Sequence, residues 1–396
     1  MTIAKASIFS ILDGLVSNLF RITNLTAPEK TKNRYPAAVK SRYHRIVVKV
    51  GTNVLTKQSG LLDEAVMASL VRQIIKARES GAQVILVSSG AMAAGRAIVQ
   101  PARKLSNVEA RQVLAAVGQA ELIHLYGSLF RKQNVACAQV LATKEDFRDR
   151  RHYLNMRDCL SALLQEGIVP VVNENDTVSI GELMFTDNDE LAALIASMVG
   201  ADALLLLTSV DGIQITGSDG MTTVLKTVAS ESDWKDHIRN EKSSFGRGGM
   251  QTKCRNAQKL AGLGIATHIA RGTEPDVIIK LLAGKELGTT FPAKNTTSSV
   301  KRWVAEGAGK EKGVVTINRC ACDVLTETGK AVSLLPVGVV KIEGSFSKGD
   351  LVRIRGEDGC EVGLGITQYS SNAAKVAIGK KGQKALIHCD YLHLFS

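Results

Sequence analysis

From Arg45 to about Ala270 short apolar runs alternate with amphipathic segments, and few folds accept that order. Ile46 to Val50, Val84 to Ser88, Ile168 to Val172, Leu204 to Thr208 and Thr267 to Ala270 read as buried strands. Glu64 to Ser80 carries Val66, Leu70 and Ile74 at helical spacing, with Gly81 where a C-cap belongs. Met250 to Leu263 reads as another helix, ending near Gly264. Apolar strands separated by helices predict a mostly parallel sheet sandwiched between helices, an α/β fold. Ligands of such sheets bind at the carboxyl ends of the strands.

Polar residues gather at those ends. Asn173 to Asp176 follows the Ile168–Val172 run, and Asp187 to Asp189 leads into the helical pattern Leu191 to Met198. The segment between them reads as a hairpin. Asn and Asp also favour turns and helix caps, so capping and ligand binding are both open readings here. Lys49 ends the first strand, followed by Gly51, Thr52 and Asn53. A lysine in an apolar strand is costly unless its ammonium reaches water or an anion. It either snorkels at a sheet edge or contacts a phosphate beside a nest of backbone N–H groups. Ser88 to Gly95 opens a helix with small residues, which suits close packing or an anion on the free N–H groups. In Phe245-Gly-Arg-Gly-Gly-Met-Gln-Thr-Lys253, glycines lead into a helix with Thr252 and Lys253 in its first turn. That is a phosphate cradle in its chemistry, or else a capped surface loop. Neither a P-loop nor a Rossmann glycine fingerprint is present. Two lysines, two glycine-rich anion sites and a carboxylate/amide cluster suit phosphoryl transfer, where catalysis is mostly positioning and electrostatics.

With 396 residues, two domains are expected. The boundary falls where the pattern changes, around 285–312. Residues 45–284 then form the α/β catalytic domain, and 313–396 a small β-rich domain with strands near Val314–Ile317, Val339–Ile342, Leu351–Ile354, Glu361–Ile366 and Ala385–His388. Residues 1–44 form an extension of unassigned role. Ile8 to Phe20 there is amphipathic enough for a helix, either part of a transit peptide, a loosely ordered extension, or a helix packing on a neighbouring subunit. Through Arg45 the chain has eight Lys/Arg against Asp13 and Glu29, so 8 − 2 = +6 of the net +12 lies there. The high pI is therefore a weak argument for nucleic acid. So is an aromatic content of 4%, too low for base-stacking surfaces as the main business. The seven cysteines are odd in number and lack a CxxC, so they read as reduced thiols, with Cys320 and Cys322 as alternating strand positions. No zinc spacing occurs, no metal ligands are expected, and His44, His124 and His152 read as surface residues. No uninterrupted apolar run is long enough to cross a bilayer.

Ile46-Val-Val-Lys-Val-Gly-Thr-Asn-Val-Leu55, Val87 to Gly95, Leu114-Ala-Ala-Val-Gly-Gln119, Val172-Asn-Glu-Asn-Asp176, Asp187-Asn-Asp189 and Gly248-Gly-Met-Gln-Thr-Lys253 follow one another in the order of the glutamate 5-kinases. The chain resembles that family, within the amino acid kinase superfamily, over roughly Arg45 to Leu282. Ser333-Leu-Leu-Pro-Val-Gly338 and Gly344-Ser-Phe-Ser-Lys-Gly-Asp350 resemble parts of a PUA domain. The resemblance implies ATP-dependent phosphorylation of L-glutamate to L-glutamyl 5-phosphate, the first step towards proline, with Mg²⁺ accompanying ATP. It implies that Lys49 and Lys253 stabilise the phosphoryl group and that Asp189 holds both lysines. Glutamate would lie against Ser89, Gly90, Ala91, Asn173, Asp176 and Asn188. The nucleotide would lie against Lys49, Gly51, Thr52, Thr208, Ser209, Arg247, Gly248, Gly249, Met250, Gln251, Thr252 and Lys253. It further implies a cytoplasmic homo-oligomer (dimer or tetramer), proline as feedback inhibitor, and a possible encounter with the next enzyme of the pathway. No membrane contact and weak or absent RNA binding are expected, since the tail from Lys301 has fourteen basic and ten acidic residues. The chain departs from the family at Thr208-Ser209, at Gly212-Ile-Gln214 and at Arg247, all on the nucleotide side. A sister kinase with another acceptor, and an RNA-binding or regulatory protein, are the alternatives.

Overall fold

The computed structural model describes residues 41–100, 105–179, 185, 187–216, 221–235, 249–294, 304, 311–326 and 332–395. The Ile8–Phe20 segment, Arg247, Gly248 and much of the expected hairpin lie outside them.

Among the described residues nine strands belong to the first domain: β1 (Arg45–Val50), β2 (Gln83–Ser88), β3 (Cys137–Ala142), β4 (Val169–Glu174), β5 (Ala203–Thr208), β6 (Gln214–Thr216), β7 (Thr222–Val224), β8 (Ala266–Arg271) and β9 (Thr289–Phe291). Seven form one sheet in the order β3-β4-β2-β1-β5-β8-β9. Every pairing in it is parallel except β8 with β9. β6 and β7 pair separately as an antiparallel ribbon. The stretch expected as a linker thus contributes the sheet's antiparallel edge strand.

The chain crosses from β1 to β2 on one side and later returns to place β5 on the other. A crevice therefore opens beyond the carboxyl end of β1, where α/β sheets bind ligands. Side chains alternate between the faces of a strand. Ile46, Val48 and Val50 enter a core with Leu70 and Ile74 of the Glu64–Glu79 helix and Tyr126 of the Asn107–Arg131 helix. Val47 faces the opposite core, with Leu191 of the Asn188–Val199 helix and Ala257 of the Met250–Gly262 helix. Lys49 shares the face of Val47. Its register neighbours are Val87 and Leu206, so its stem is walled by apolar strands.

The Asn107–Arg131 helix is long and apolar enough by composition to span a membrane. In this fold it crosses the Ala91–Ile98 helix in backbone contact. A Cβ on Gly118 would lie 1.8 Å from the Ala91 carbonyl oxygen, and one on Gly95 2.0 Å from that of Leu114. Both glycines are therefore required by close approach. Gly118→Ala is expected to cost about 3 kcal/mol, seen as a lower urea midpoint. Gly127 in the same helix has open space around it, and Gly127→Ala is expected to be neutral or stabilising by up to about 1 kcal/mol. Equal midpoints for the two variants would contradict this packing.

The second domain is a sheet ordered β11-β10-β12-β13-β14, from β10 (Gly313–Ile317), β11 (Val339–Gly344), β12 (Leu351–Gly356), β13 (Glu361–Thr367) and β14 (Ile387–Leu394). β10 and β12 are parallel and the other pairs antiparallel. Val315, Ile317, Val352, Ile354 and Leu392 share its core. The last strand starts at Ile387, later than expected. Cys320 and Cys322 correct the reading of alternating strand positions: they lie in the helix Arg319–Thr326. Asn318 Oδ1 accepts from the Ala321 N–H at 2.8 Å and starts that helix. Two cysteines one residue apart are too short a pattern to define a period.

Candidate active site

The crevice at the end of β1 collects side chains from six places in the chain. Asp187 caps the Asn188–Val199 helix, its Oδ1 accepting from the N–H groups of Asp189 (3.0 Å) and Glu190 (2.9 Å). The cap fixes where the first helical turn points. Asp189, in that turn, is fully buried and faces the sheet. Its Oδ1 lies 2.7 Å from Lys49 Nζ and its Oδ2 2.6 Å from Lys253 Nζ. Lys253 comes from the first turn of the Met250–Gly262 helix, behind Gly249 as N-cap. One carboxylate thus bridges two lysines that are themselves 6% and 8% exposed.

Such burial is tolerable only because the charges are paired. Burial alone would raise the Asp189 pKa, but the two lysines outweigh it and lower it to about 2. Burial likewise works against a charged Lys253, and Asp189 overcomes it, so that pKa is raised. For Asp187 nothing outweighs burial, and the charge of Asp189 adds to it, pushing the carboxyl up to about 6.

A network of amides lies beside this bridge. Asn188 Nδ2 donates to Ser89 Oγ at 2.8 Å and to Asn173 Oδ1 at 3.0 Å, while Asn173 Nδ2 donates to Gln119 Oε1 at 2.8 Å. Asn188 Oδ1 and Asp187 Oδ2 are buried acceptors with no hydrogen-bond partner among the described residues. Orphaned acceptors at a strand-end crevice are what a cationic or N–H-bearing ligand would satisfy. Ser89 and Ala91 flank Gly90, whose φ of 110° is the left-handed conformation that glycine adopts readily. The Ser89 N–H is taken by the Val50 carbonyl at 3.1 Å, so it is not available to an anion as the Ser89–Ala91 backbone was expected to be.

Asp176 is joined to Arg111, a residue that carried no local signal. Arg111 Nε donates to Asp176 Oδ1 at 3.0 Å, Nη2 contacts the same oxygen, and Nη2 lies 3.5 Å from Glu174 Oε2. Asn173 and Glu174 belong to β4, so that strand runs two residues further than its apolar pattern indicates. Gln119 ends the Leu114–Gln119 segment, and its contact with Asn173 gives that segment a place at the site.

The nucleotide side is built from the ends of β1 and β5 and the start of the Met250–Gly262 helix. Gly51 caps the single turn Thr52–Leu55, and its N–H donates to Leu207 at 3.2 Å. Of the three N–H groups expected as a nest, Gly51 is therefore spent on the sheet. Thr52 is half-buried and Asn53 exposed. Thr208 ends β5, half-buried, with Ser209 exposed beside it. Gly249, Met250, Gln251 and Thr252 line the helix start and are half-buried. His44, His124 and His152 are exposed, and the seven cysteines are free.

The model of the amino acid kinase family matches residues 44–271, and that of the PUA domain residues 313–388. Glutamate 5-kinase of Chlorobaculum tepidum is 51% identical over 352 residues, covering 89% of this chain and 98% of the relative. Glutamate 5-kinase of Bacteroides thetaiotaomicron is 47% identical over 360 residues, covering 90% and 100%. That of Caldanaerobacter subterraneus is 41% identical over 342 residues, covering 85% and 91%. A family model that covers residues 44–271, and relatives matched along nearly their whole length, make this chain a member of the amino acid kinase family, of the glutamate 5-kinase type with a carboxyl-terminal PUA domain.

Proposed function

We infer that this chain transfers the γ-phosphoryl group of ATP to the γ-carboxylate of L-glutamate, giving L-glutamyl 5-phosphate and ADP, the first step of proline biosynthesis. The observation that carries the reading is the Lys49–Asp189–Lys253 bridge set against the Ser89–Asn188–Asn173 amides. A carboxylate oxygen of glutamate attacks the γ-phosphorus, and the bond from that phosphorus to the bridging oxygen of ADP breaks. The attacking carboxylate is already ionised at neutral pH, so no general base is needed. What the chain must supply is charge and alignment.

Lys49 and Lys253 supply the charge. Their ammoniums are held by Asp189 before substrate arrives, so little reorganisation accompanies the reaction. Asp189 is a positioning residue in this reading, since it acts through the lysines. On the acceptor side, Asn188 Oδ1 is an unsatisfied buried acceptor suited to an α-ammonium group, together with Asp176. Ser89 Oγ and the N–H groups that open the Ala91–Ile98 helix suit a carboxylate.

Mg²⁺ would travel with the nucleotide, where it neutralises phosphate charge and keeps several water ligands. Among the described residues no cluster of three or more His, Cys, Asp or Glu side chains could cage a metal. Asp187 Oδ2 is a buried carboxylate oxygen that fits a cation shared with phosphates.

The test is ADP release, with hydroxamate trapping of the acyl phosphate, across L-glutamate, L-aspartate, N-acetyl-L-glutamate, UMP and carbamate. Turnover with L-glutamate alone is expected. Turnover with another acceptor and none with glutamate would refute the assignment.

A further inference from the structure

We propose that Arg111 is a positioning residue of the acceptor site, which holds the Asp176 carboxylate aimed at the α-ammonium group of the substrate. The proposal rests on the glutamate kinase reading above and deepens its acceptor side.

Asp176 lies on the turn after β4, a place where a side chain has little backbone support. Its side chain is only 12% exposed, and Glu174, 5% exposed, is two residues away. Two carboxylates this close in a largely buried place need a cation between them. The guanidinium of Arg111 answers that problem. Its fork reaches Asp176 Oδ1 through Nε (3.0 Å) and Nη2, and Nη2 also lies 3.5 Å from Glu174 Oε2. Glu174 is itself fixed, its Oε1 accepting from the Phe185 N–H at 3.1 Å. The next residue of the helix, Gln112, donates from Nε2 to the Thr177 carbonyl at 2.8 Å. Side chain and backbone of the turn are therefore both held from the Asn107–Arg131 helix. Gln119 of that helix holds Asn173 in the same way. A planar fork fixes the direction of a carboxylate, which a lysine does less well.

The residue is argued to act through Asp176, so the test separates that from a general structural role. Steady-state kinetics are compared for wild type, Arg111→Gln, Arg111→Lys, Asp176→Asn and the double variant Arg111→Gln/Asp176→Asn. In Arg111→Gln the KM for glutamate is expected to rise about tenfold to a hundredfold. Its kcat is expected to stay within about threefold and its KM for ATP to stay unchanged, because the lysine bridge is not touched. Arg111→Lys is expected to be intermediate. The double variant is expected to be little worse than Asp176→Asn alone, the mark of two residues acting as one unit. If Arg111→Gln does not fold, the several-fold rise expected for Arg111→Lys carries the test.

An unchanged KM for glutamate in either Arg111 variant would overturn the proposal. So would effects that add in the double variant, or a loss of kcat with KM retained. Wild type inactive on glutamate would instead sink the kinase reading, and this proposal with it.

Discussion

Lys253→Ala is expected to lower glutamate-dependent ADP release by about a thousandfold in kcat. The ammonium it removes stands at the start of the Met250–Gly262 helix, where backbone N–H groups already favour negative charge. Charge on the transferring phosphoryl group spreads over its three outer oxygens, and a fixed cation stabilises that arrangement more than it stabilises bound ATP. The KM for ATP is therefore expected to change far less than kcat. The fold should survive, because Asp189 keeps Lys49 at 2.7 Å as its partner. A thermal midpoint close to wild type together with the kinetic loss would separate chemistry from stability. Unchanged ADP release in this variant would mean that the buried lysine bridge is scaffolding and that phosphoryl transfer is carried elsewhere.

The parts of this site that could be read from the sequence are those with local consequences. Apolar runs of strand length located β1, β2, β5 and β8 to within a residue or two, and strand ends in a parallel sheet are where turns face ligands. Alternation along β1 puts Lys49 on the side of Val47, and that same side is covered by the helices bearing Asp189 and Lys253. What could not be read is pairing across long separations. Arg111 meets Asp176 across 65 positions, and nothing in a helical pattern says which polar residue at its start will turn inward. The Gly51 N–H is spent on Leu207, a neighbour that only sheet order supplies. β4 extends through Asn173 and Glu174 because Leu141 and Ala142 of β3 offer them register partners. Their polar side chains break an apolar pattern without breaking the strand. Cys320 and Cys322 failed for the opposite reason: a local pattern was present but shorter than the period it was asked to define.

Asp189→Asn is expected to be the most damaging single change at the site, because it strikes stability and chemistry together. The substitution keeps the shape and removes the charge, leaving two nearly buried ammoniums against an amide. Breaking a buried pair by deleting one partner costs about 3–5 kcal/mol. A folded-state pKa near 2 against an ordinary aspartate value of about 3.9 gives a similar figure, about 3 kcal/mol. Activity is expected to fall by about a thousandfold or more, since neither lysine then has a fixed position. The dependence on pH gives an independent reading. Asp189 has a depressed pKa, so its contribution is fully present above about pH 4 and is lost as pH falls towards 2. The stability gap between wild type and Asp189→Asn should therefore be full at pH 7 and close on acidification below 4. Asp187 acts in the other sense. Its raised pKa contributes stability that is present below about pH 4 and lost as pH rises through about 6. One cause of that rise is the charge of Asp189, so in the variant Asp187 should ionise at lower pH and become a counter-charge for Lys49 and Lys253. Denaturation midpoints measured from pH 2 to 8 would show both effects. A variant that tracks wild type across that range would show that the lysines are not held by Asp189.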